Sequence, residues 1–309
     1  MNIAFLFPGQ GSQAVGMGKD LYEHHPVARE LFEEANDVLG FDIIKLCFEG
    51  PEEELMLTTN AQPSILLVSY VAYRALGRTP TVAAGHSLGE YSALVAAGGL
   101  RFADGLRLVR ARGQFMQQAV PVGGGAMAAL IGADVAAVER YLQTRSAEAG
   151  VVEIANYNSP QQIALSGQRR AIEQAVQDLS AYKARMLPVS APFHCSLMRP
   201  AEERLAPEID KTPFADLQFP IYANVEVERI TLGERAARAL KLQISRPVRW
   251  TEIIGQMLHA DGITHFVEIG PGTVLSGLVK RIAKAEGVEA TLLNVADGQS
   301  LAKTLEALG

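Results

Sequence analysis

The sequence predicts an α/β protein in which a larger α/β domain carries a smaller inserted one. Three observations lead there. Short apolar runs of strand length alternate with segments whose apolar residues recur at helical spacing, the pattern of strands laid side by side through helical crossovers. Between Pro121-Val122-Gly123-Gly124-Gly125 and Pro192 the order changes to β-α-β-β-α-β, the split βαβ or ferredoxin-like arrangement. At 309 residues the chain has the length for one large domain with a smaller one set into it.

Taken in order, residues 3–7 read as a buried strand running into the turn-rich loop Pro8-Gly9-Gln10-Gly11-Ser12-Gln13. Amphipathic patterns predict helices over 28–39 and 61–76. A short strand, 81–84, meets Gly85-His86-Ser87-Leu88-Gly89, and a helix then extends to Ala97 with Gly98-Gly99 as its stop. A further helix spans 103–119. In the insert, 126–131 is strand-like and 133–142 helical, 151–155 and 162–166 are strands flanking the turn Asn158-Ser159-Pro160, 171–179 is helical and 184–189 a strand. The larger pattern resumes with a strand at 219–223, a helix at 250–258 and a strand at 265–269. That strand reaches Gly270-Pro271-Gly272 and a helix over 274–283. The predicted division is 123–191 as the small domain, set between 1–122 and 192–309.

Hydrophobic residues at 48% and charged residues at 20% are ordinary for a soluble globular enzyme. The net charge of -6 argues against a general nucleic-acid binder, which needs clustered Lys and Arg, while leaving room for a local basic patch. Cys47 and Cys195 are the only cysteines and form no C-x-x-C pair, so neither a disulfide framework nor a cysteine zinc site is expected. The run from Met1 to Phe7 lacks a basic flank and stops at Pro8, unlike a signal peptide, and no stretch approaches the length of a membrane span. A reduced, cytoplasmic chain is the expectation.

The motif G-x-S-x-G at 85–89 lies between a predicted strand and a predicted helix, the setting in which it presents a nucleophile. Its glycines permit a cramped turn, and the helix N-terminus beyond Ser87 favours developing negative charge. A tight packing turn is the plainer alternative. A serine needs a base, and six histidines are available. His24, His25 and His259 fall in surface-like positions, and His86 is the immediate neighbour of Ser87, from which its side chain should point away. His194 follows Ser190-Ala191-Pro192-Phe193 at the predicted domain seam, a favoured place for a pocket; a satisfied structural histidine is the alternative there.

On the helix over 103–119, a turn of about 100° per residue groups Leu108, Val109, Phe115 and Met116 on one side. Arg112 falls in the middle of that apolar arc. A guanidinium cannot shed its proton to escape burial, so it needs an anion or a route to water. Either it makes an internal salt bridge or snorkels along the helix, or it projects into a pocket and holds a substrate carboxylate with its fork.

Seven segments together resemble the malonyl-coenzyme A:acyl carrier protein transacylases and the acyltransferase domains of polyketide synthases. They are Phe7-Pro8-Gly9-Gln10-Gly11-Ser12-Gln13; Gly85-His86-Ser87-Leu88-Gly89-Glu90; Arg110-Ala111-Arg112-Gly113; Asn156-Tyr157-Asn158-Ser159-Pro160; Pro192-Phe193-His194; Gln243 with Pro247-Val248-Arg249-Trp250; and Glu268-Ile269-Gly270-Pro271-Gly272. They stand in family order from residue 3 to about residue 285. The resemblance implies an α/β-hydrolase-like core with a ferredoxin-like insert and the site in the cleft between them. It makes Ser87 the nucleophile, His194 the base, and Gln10 with the Leu88 N–H the oxyanion hole. Arg112, Phe193 and Gln243 would form the substrate-binding set: Arg112 as the malonyl clamp, Gln243 through the backbone carbonyl that orients the histidine. An aromatic residue before the histidine goes with malonyl in polyketide acyltransferases, because the ring occupies the room an α-methyl needs, so Phe193 supports malonyl.

The reaction so implied moves malonyl from malonyl-CoA to an acyl carrier protein by a ping-pong route, with no metal or other cofactor, no nucleic acid, no membrane and a monomeric enzyme. Basic residues near the cleft, Lys183, Arg185 or Arg199, are the expected carrier contacts, and Cys195 a packed small residue. Two rival readings are a serine hydrolase, against which a charged clamp in the acyl pocket argues, and an inert carrier-docking module, against which the intact Ser87, His194, Gln10 and Arg112 argue.

Overall fold

The computed structural model describes all residues of 1–309 except Ser146 and Ser190, and of Ala147 the backbone only. Ser190, named above in the loop before His194, therefore lies outside the described residues. Among these, ten strands occur: β1 Ile3–Phe7, β2 Val82–Gly85, β3 Gly125–Ile131, β4 Val152–Ser159, β5 Gln162–Gln168, β6 Lys183–Met186, β7 Ile221–Tyr222, β8 Arg229–Ile230, β9 His265–Ile269 and β10 Thr291–Val295.

The larger sheet has the order β10-β9-β1-β2-β7-β8. Its first five strands run parallel and β8 returns antiparallel to β7. Helices cover both faces, which is why β1 is an unbroken apolar run instead of an alternating one. Phe5 and Phe7 pack into the core on one side with Ala83 and Val267; Ala4 and Leu6 pack on the other with Val82, Ala84 and Phe266. The chain winds outward from β1 in one direction through β2 and β7 and in the other through β9 and β10. The reversal falls between β1 and β9, and the carboxyl ends of β1 and β2 lie side by side next to it, with Phe7 opposite Gly85. Open α/β sheets bind ligands at such a point.

The smaller sheet is antiparallel in the order β4-β5-β3-β6. Leu130, Ile163 and Leu165 pack there against Val138, Ile172 and Ala175 of its two helices. The sequence order β-α-β-β-α-β and this strand order are those of the ferredoxin-like arrangement. The small sheet meets the segment leading into the helix Trp250–His259, where the Tyr157 N–H donates to Val248 O at 2.9 Å and the Val248 N–H donates to Ala155 O at 2.9 Å.

Several boundaries differ from expectation. Strand β4 continues through Asn158 and Ser159, so the turn starts at Pro160; bulges in its register let it extend past the expected end. Strand β6 stops at Met186, and Leu187, Pro188 and Val189 leave the sheet. The strand expected over 219–223 pairs only at Ile221–Tyr222. Helices Lys19–His24, Ile43–Glu49, Glu52–Met56, Arg199–Lys211, Gly233–Gln243 and Gly298–Leu308, with strands β8 and β10, were not read from the sequence. In Arg199–Lys211 the reason is plain: Pro200 sits in the first turn and Pro207 inside the helix. No helix among the described residues is long and apolar enough to cross a membrane.

Candidate active site

Strand β2 ends in Gly85, and the chain must turn at once into the helix Gly89–Ala96. A Cβ on Gly85 would lie 1.8 Å from the Gly89 carbonyl, and one on Gly89 would lie 2.0 Å from Phe7 O. Only glycine fits at either position, and the close approach brings the loop after β1 against the turn. Between them Ser87 adopts φ 54, a left-handed conformation that is uncommon for a residue with a side chain. Its backbone is held at both ends. The Ser87 N–H donates to Asn224 Oδ1 at 2.7 Å, Asn224 Nδ2 donates to Gly85 O at 2.7 Å, and Gln243 Nε2 donates to Ser87 O at 2.8 Å.

His194 comes to this turn from the loop after the small sheet. It is buried, also at positive φ (58), with Nε2 2.6 Å from Ser87 Oγ. Its Nδ1 lies 3.0 Å from Gln243 O and 3.2 Å from Arg246 O. Carbonyl oxygens only accept, so Nδ1 carries the hydrogen and Nε2 is left with a lone pair facing Ser87 Oγ. Burial, with the Arg112 charge adding to it, lowers the imidazole from 6.5 to about 3, against the opposing pull of the two carbonyls. The imidazole is therefore neutral, the form in which Nε2 can accept a proton. The loop carrying it is strapped to the small sheet by the Ser196 N–H, which donates to Glu153 Oε2 at 3.0 Å.

Arg112, on the helix Phe102–Gln118, is 1% exposed. No carboxylate among the described residues comes within ion-pair distance of it, so the internal salt bridge is not what the chain uses. Neutral groups hold it instead. Nη1 donates to Gln62 Oε1 at 2.8 Å, Nη2 donates to Gln243 Oε1 at 2.8 Å and to Ser87 Oγ at 3.1 Å, and the guanidinium lies 5.5 Å from the centre of the Tyr91 ring. Its Nε has no hydrogen-bond acceptor among the described residues. Burial works against the charge, yet a guanidinium stays protonated, so the site keeps a cation with hydrogen-bonding capacity to spare. Beneath it, burial raises the Glu90 carboxyl to about 7, opposed by donors from Gln243 and Asn224.

Ser87, His194 and Arg112 line one cavity of about 190 Å³, together with Gln10, Leu88 and Phe193 and an apolar wall that includes Met116, Met127 and Leu187. The sequence thus brought six of its seven candidates to one place. Gln243, the seventh, is buried off the cavity lining; it touches the site through its carbonyl on His194 and its side chain on Arg112 and Ser87. The Gln10 side chain is engaged with Thr58, Nε2 donating to Oγ1 at 2.9 Å, and its backbone N–H has no acceptor among the described residues. The Leu88 N–H has no acceptor among the described residues. A second cavity of about 260 Å³ adjoins the first, sharing Gln10, Gly11, His86, Asn156 and Leu187. His86 points away from Ser87, with Nε2 2.8 Å from Asn158 Oδ1. Lys183, Arg185 and Arg199 are exposed, while Cys195 is fully buried.

Sequence reasoning missed Gln62, Glu90 and Asn224. Gln62 had the same signal as Arg112, a polar residue on the buried face of an apolar helix. Glu90 adjoined the serine motif without a role. Asn224, in a loop after a two-residue strand, had none.

Comparisons with known proteins point to an acyl transferase. A family profile described as acyl transferase domain matches residues 4–303. The malonyl CoA-acyl carrier protein transacylase of Bacillus subtilis strain 168 is 47% identical over 91% of this chain and 90% of its own length. That of Escherichia coli K12 is 45% identical over 98% of each chain. Among solved structures, the Coxiella burnetii transacylase of the same name has a TM-score of 0.94 at 38% identity, covering 100% of this chain and 98% of its own. A malonyl-transacylase solved in complex with a holo type II polyketide synthase acyl carrier protein has a TM-score of 0.94 at 41% identity, over 99% of this chain and 100% of its own.

Proposed function

The chain belongs to the malonyl CoA-acyl carrier protein transacylase family of acyl transferase domains, and on that footing we propose that Ser87 carries malonyl from coenzyme A to the phosphopantetheine thiol of an acyl carrier protein, for fatty-acid or polyketide synthesis. The observation that carries the reading is one cavity holding an activated serine, its neutral base and an unneutralised cation.

In the first half-reaction His194 Nε2 takes the Ser87 proton as Oγ attacks the thioester carbonyl. The Leu88 and Gln10 backbone N–H groups receive the oxyanion. The carbon–sulfur bond breaks, His194 returns its proton to the departing thiolate, and coenzyme A leaves a malonyl-serine ester. In the second half, His194 takes the proton of the carrier thiol, sulfur attacks the ester, and the proton passes back to Ser87. Every step is a proton or acyl transfer, so this reading asks for no metal and no redox cofactor. Arg112 pairs with the malonyl carboxylate through its fork, and that pairing separates malonyl from acetyl, which offers no second anion. Phe193 narrows the space beside the reacting carbon.

The reading takes 123–191 as a small subdomain closing over a catalytic one formed by 1–122 and 192–309, in a cytoplasmic monomer that binds neither nucleic acid nor membrane. Labelled malonyl-coenzyme A, followed by holo acyl carrier protein, tests it. Label should pass from coenzyme A to protein and then to the carrier thiol, and should stay on the protein for minutes without carrier. Prompt release to water would make the protein a hydrolase.

A further inference from the structure

The strained Ser87 turn is held by a side chain that no step above uses. Asn224 lies two residues beyond Tyr222, whose partner across the sheet is Ala84 on β2, so it stands level with the start of the nucleophile turn. It is 1% exposed. Its carboxamide is used from both ends: Oδ1 accepts from the Ser87 N–H at 2.7 Å while Nδ2 donates to Gly85 O at 2.7 Å. The backbone of Asn224 is fixed in turn, its N–H donating to Glu90 Oε2 at 3.2 Å and its carbonyl accepting from the Arg249 N–H at 3.0 Å. Glu90 Oε2 also accepts from Gln243 Nε2 at 2.7 Å, the same group that holds Ser87 O. One buried carboxyl therefore ties together the two side chains that grip the Ser87 peptide.

We infer that Asn224 is a positioning residue for the nucleophile: it bridges Gly85 and Ser87, holds Ser87 at positive φ, and withdraws the Ser87 N–H from the reacting oxygen. The inference rests on Ser87 being the nucleophile. An acceptor and a donor on one short planar group are what the bridge requires, and a carboxamide provides both. With the Ser87 N–H spent on Asn224, the developing oxyanion must be met by the Leu88 N–H and the loop after β1. Once the bridge is lost the peptide is free to leave φ 54 and to carry Oγ away from its 2.6 Å contact with His194 Nε2.

Rapid-quench measurement of malonyl-serine formation in the parent, Asn224→Ala and Asn224→Asp, across pH, tests this. Asn224→Ala should slow acylation roughly 100-fold, the scale of a misplacement by about 1 Å, with the malonyl-coenzyme A KM unchanged because Gln62 and Gln243 still hold Arg112. Asn224→Asp offers the same acceptor and donor when protonated and loses the donor when ionised. Its acylation should therefore fall as pH rises, along a limb absent from the parent. Glu90, Arg112 and His194 surround the turn in parent and variant alike, so the comparison isolates the new carboxyl. Parent-like acylation in both variants, a loss confined to KM, or an Asn224→Asp profile parallel to the parent's would overturn the inference. If Asn224→Ala does not fold, the Asn224→Asp profile decides alone. Label found elsewhere than on Ser87 in the parent would remove the nucleophile reading as well.

Discussion

A buried guanidinium without a carboxylate is costly to keep, and in this chain two glutamines and a serine hydroxyl offset that cost only in part. The unmatched charge is what a substrate carboxylate would complete. Arg112→Ala should lower kcat/KM for malonyl-coenzyme A by about 2–4 kcal/mol, roughly 30- to 1000-fold, while leaving acetyl-coenzyme A near its parent value; an undiminished preference for malonyl would refute the clamp. His194 supports a second prediction. A histidine at its ordinary value loses half its neutral form at about pH 6.5. Here burial and Arg112 lower the imidazole to about 3. Its neutral form therefore persists as pH falls, and malonyl-serine formation should hold level from about pH 8 to about pH 6, with its acid limb well below the ordinary value. A limb centred near 6.5 would contradict the assignment. Both residues were legible in the sequence for physical reasons: a charge in an apolar arc, and a histidine at a seam behind a proline. Asn224 was not, because its role depends on the neighbour that β7 finds across the sheet, and no local pattern encodes that.

At the level of elements, the nucleophile turn is a steric object before it is a chemical one. Gly89→Ala would drive a methyl into Phe7 O, and Gly85→Ala would drive one into the Gly89 carbonyl. Each should destabilise the fold by about 3 kcal/mol, seen as a lowered melting temperature; either alanine tolerated at the parent Tm would mean that the turn opens freely. Strongly patterned elements were readable: β1, β9 and the helices beside the site follow their apolar periodicity closely. What escaped were short or interrupted pieces. The two-residue strands β7 and β8 exist through pairing alone, and the bulged end of β4 places Asn156 in both cavities where a turn was expected nearby. The stretch Leu187, Pro188 and Val189 beyond β6 likewise became cavity wall instead of strand.

For the whole molecule, the carboxyl end of β2 carries Ser87 and the loop behind the small sheet carries His194, so the proposed reaction needs both sheets in place. The separate four-stranded sheet was announced by the glycine run before it and by the change in strand order. The proposed carrier surface rests on exposed charge alone. Charge reversal at Lys183, Arg185 and Arg199 should raise the carrier KM and leave the malonyl-coenzyme A KM alone; an unchanged carrier KM would move the docking face elsewhere. The most direct measurement is intact-protein mass spectrometry after exposure to malonyl-coenzyme A, with peptide mapping of the adduct. The parent should gain one malonyl group on Ser87 and Ser87→Ala none. An adduct of the same yield on Ser87→Ala would contradict the account.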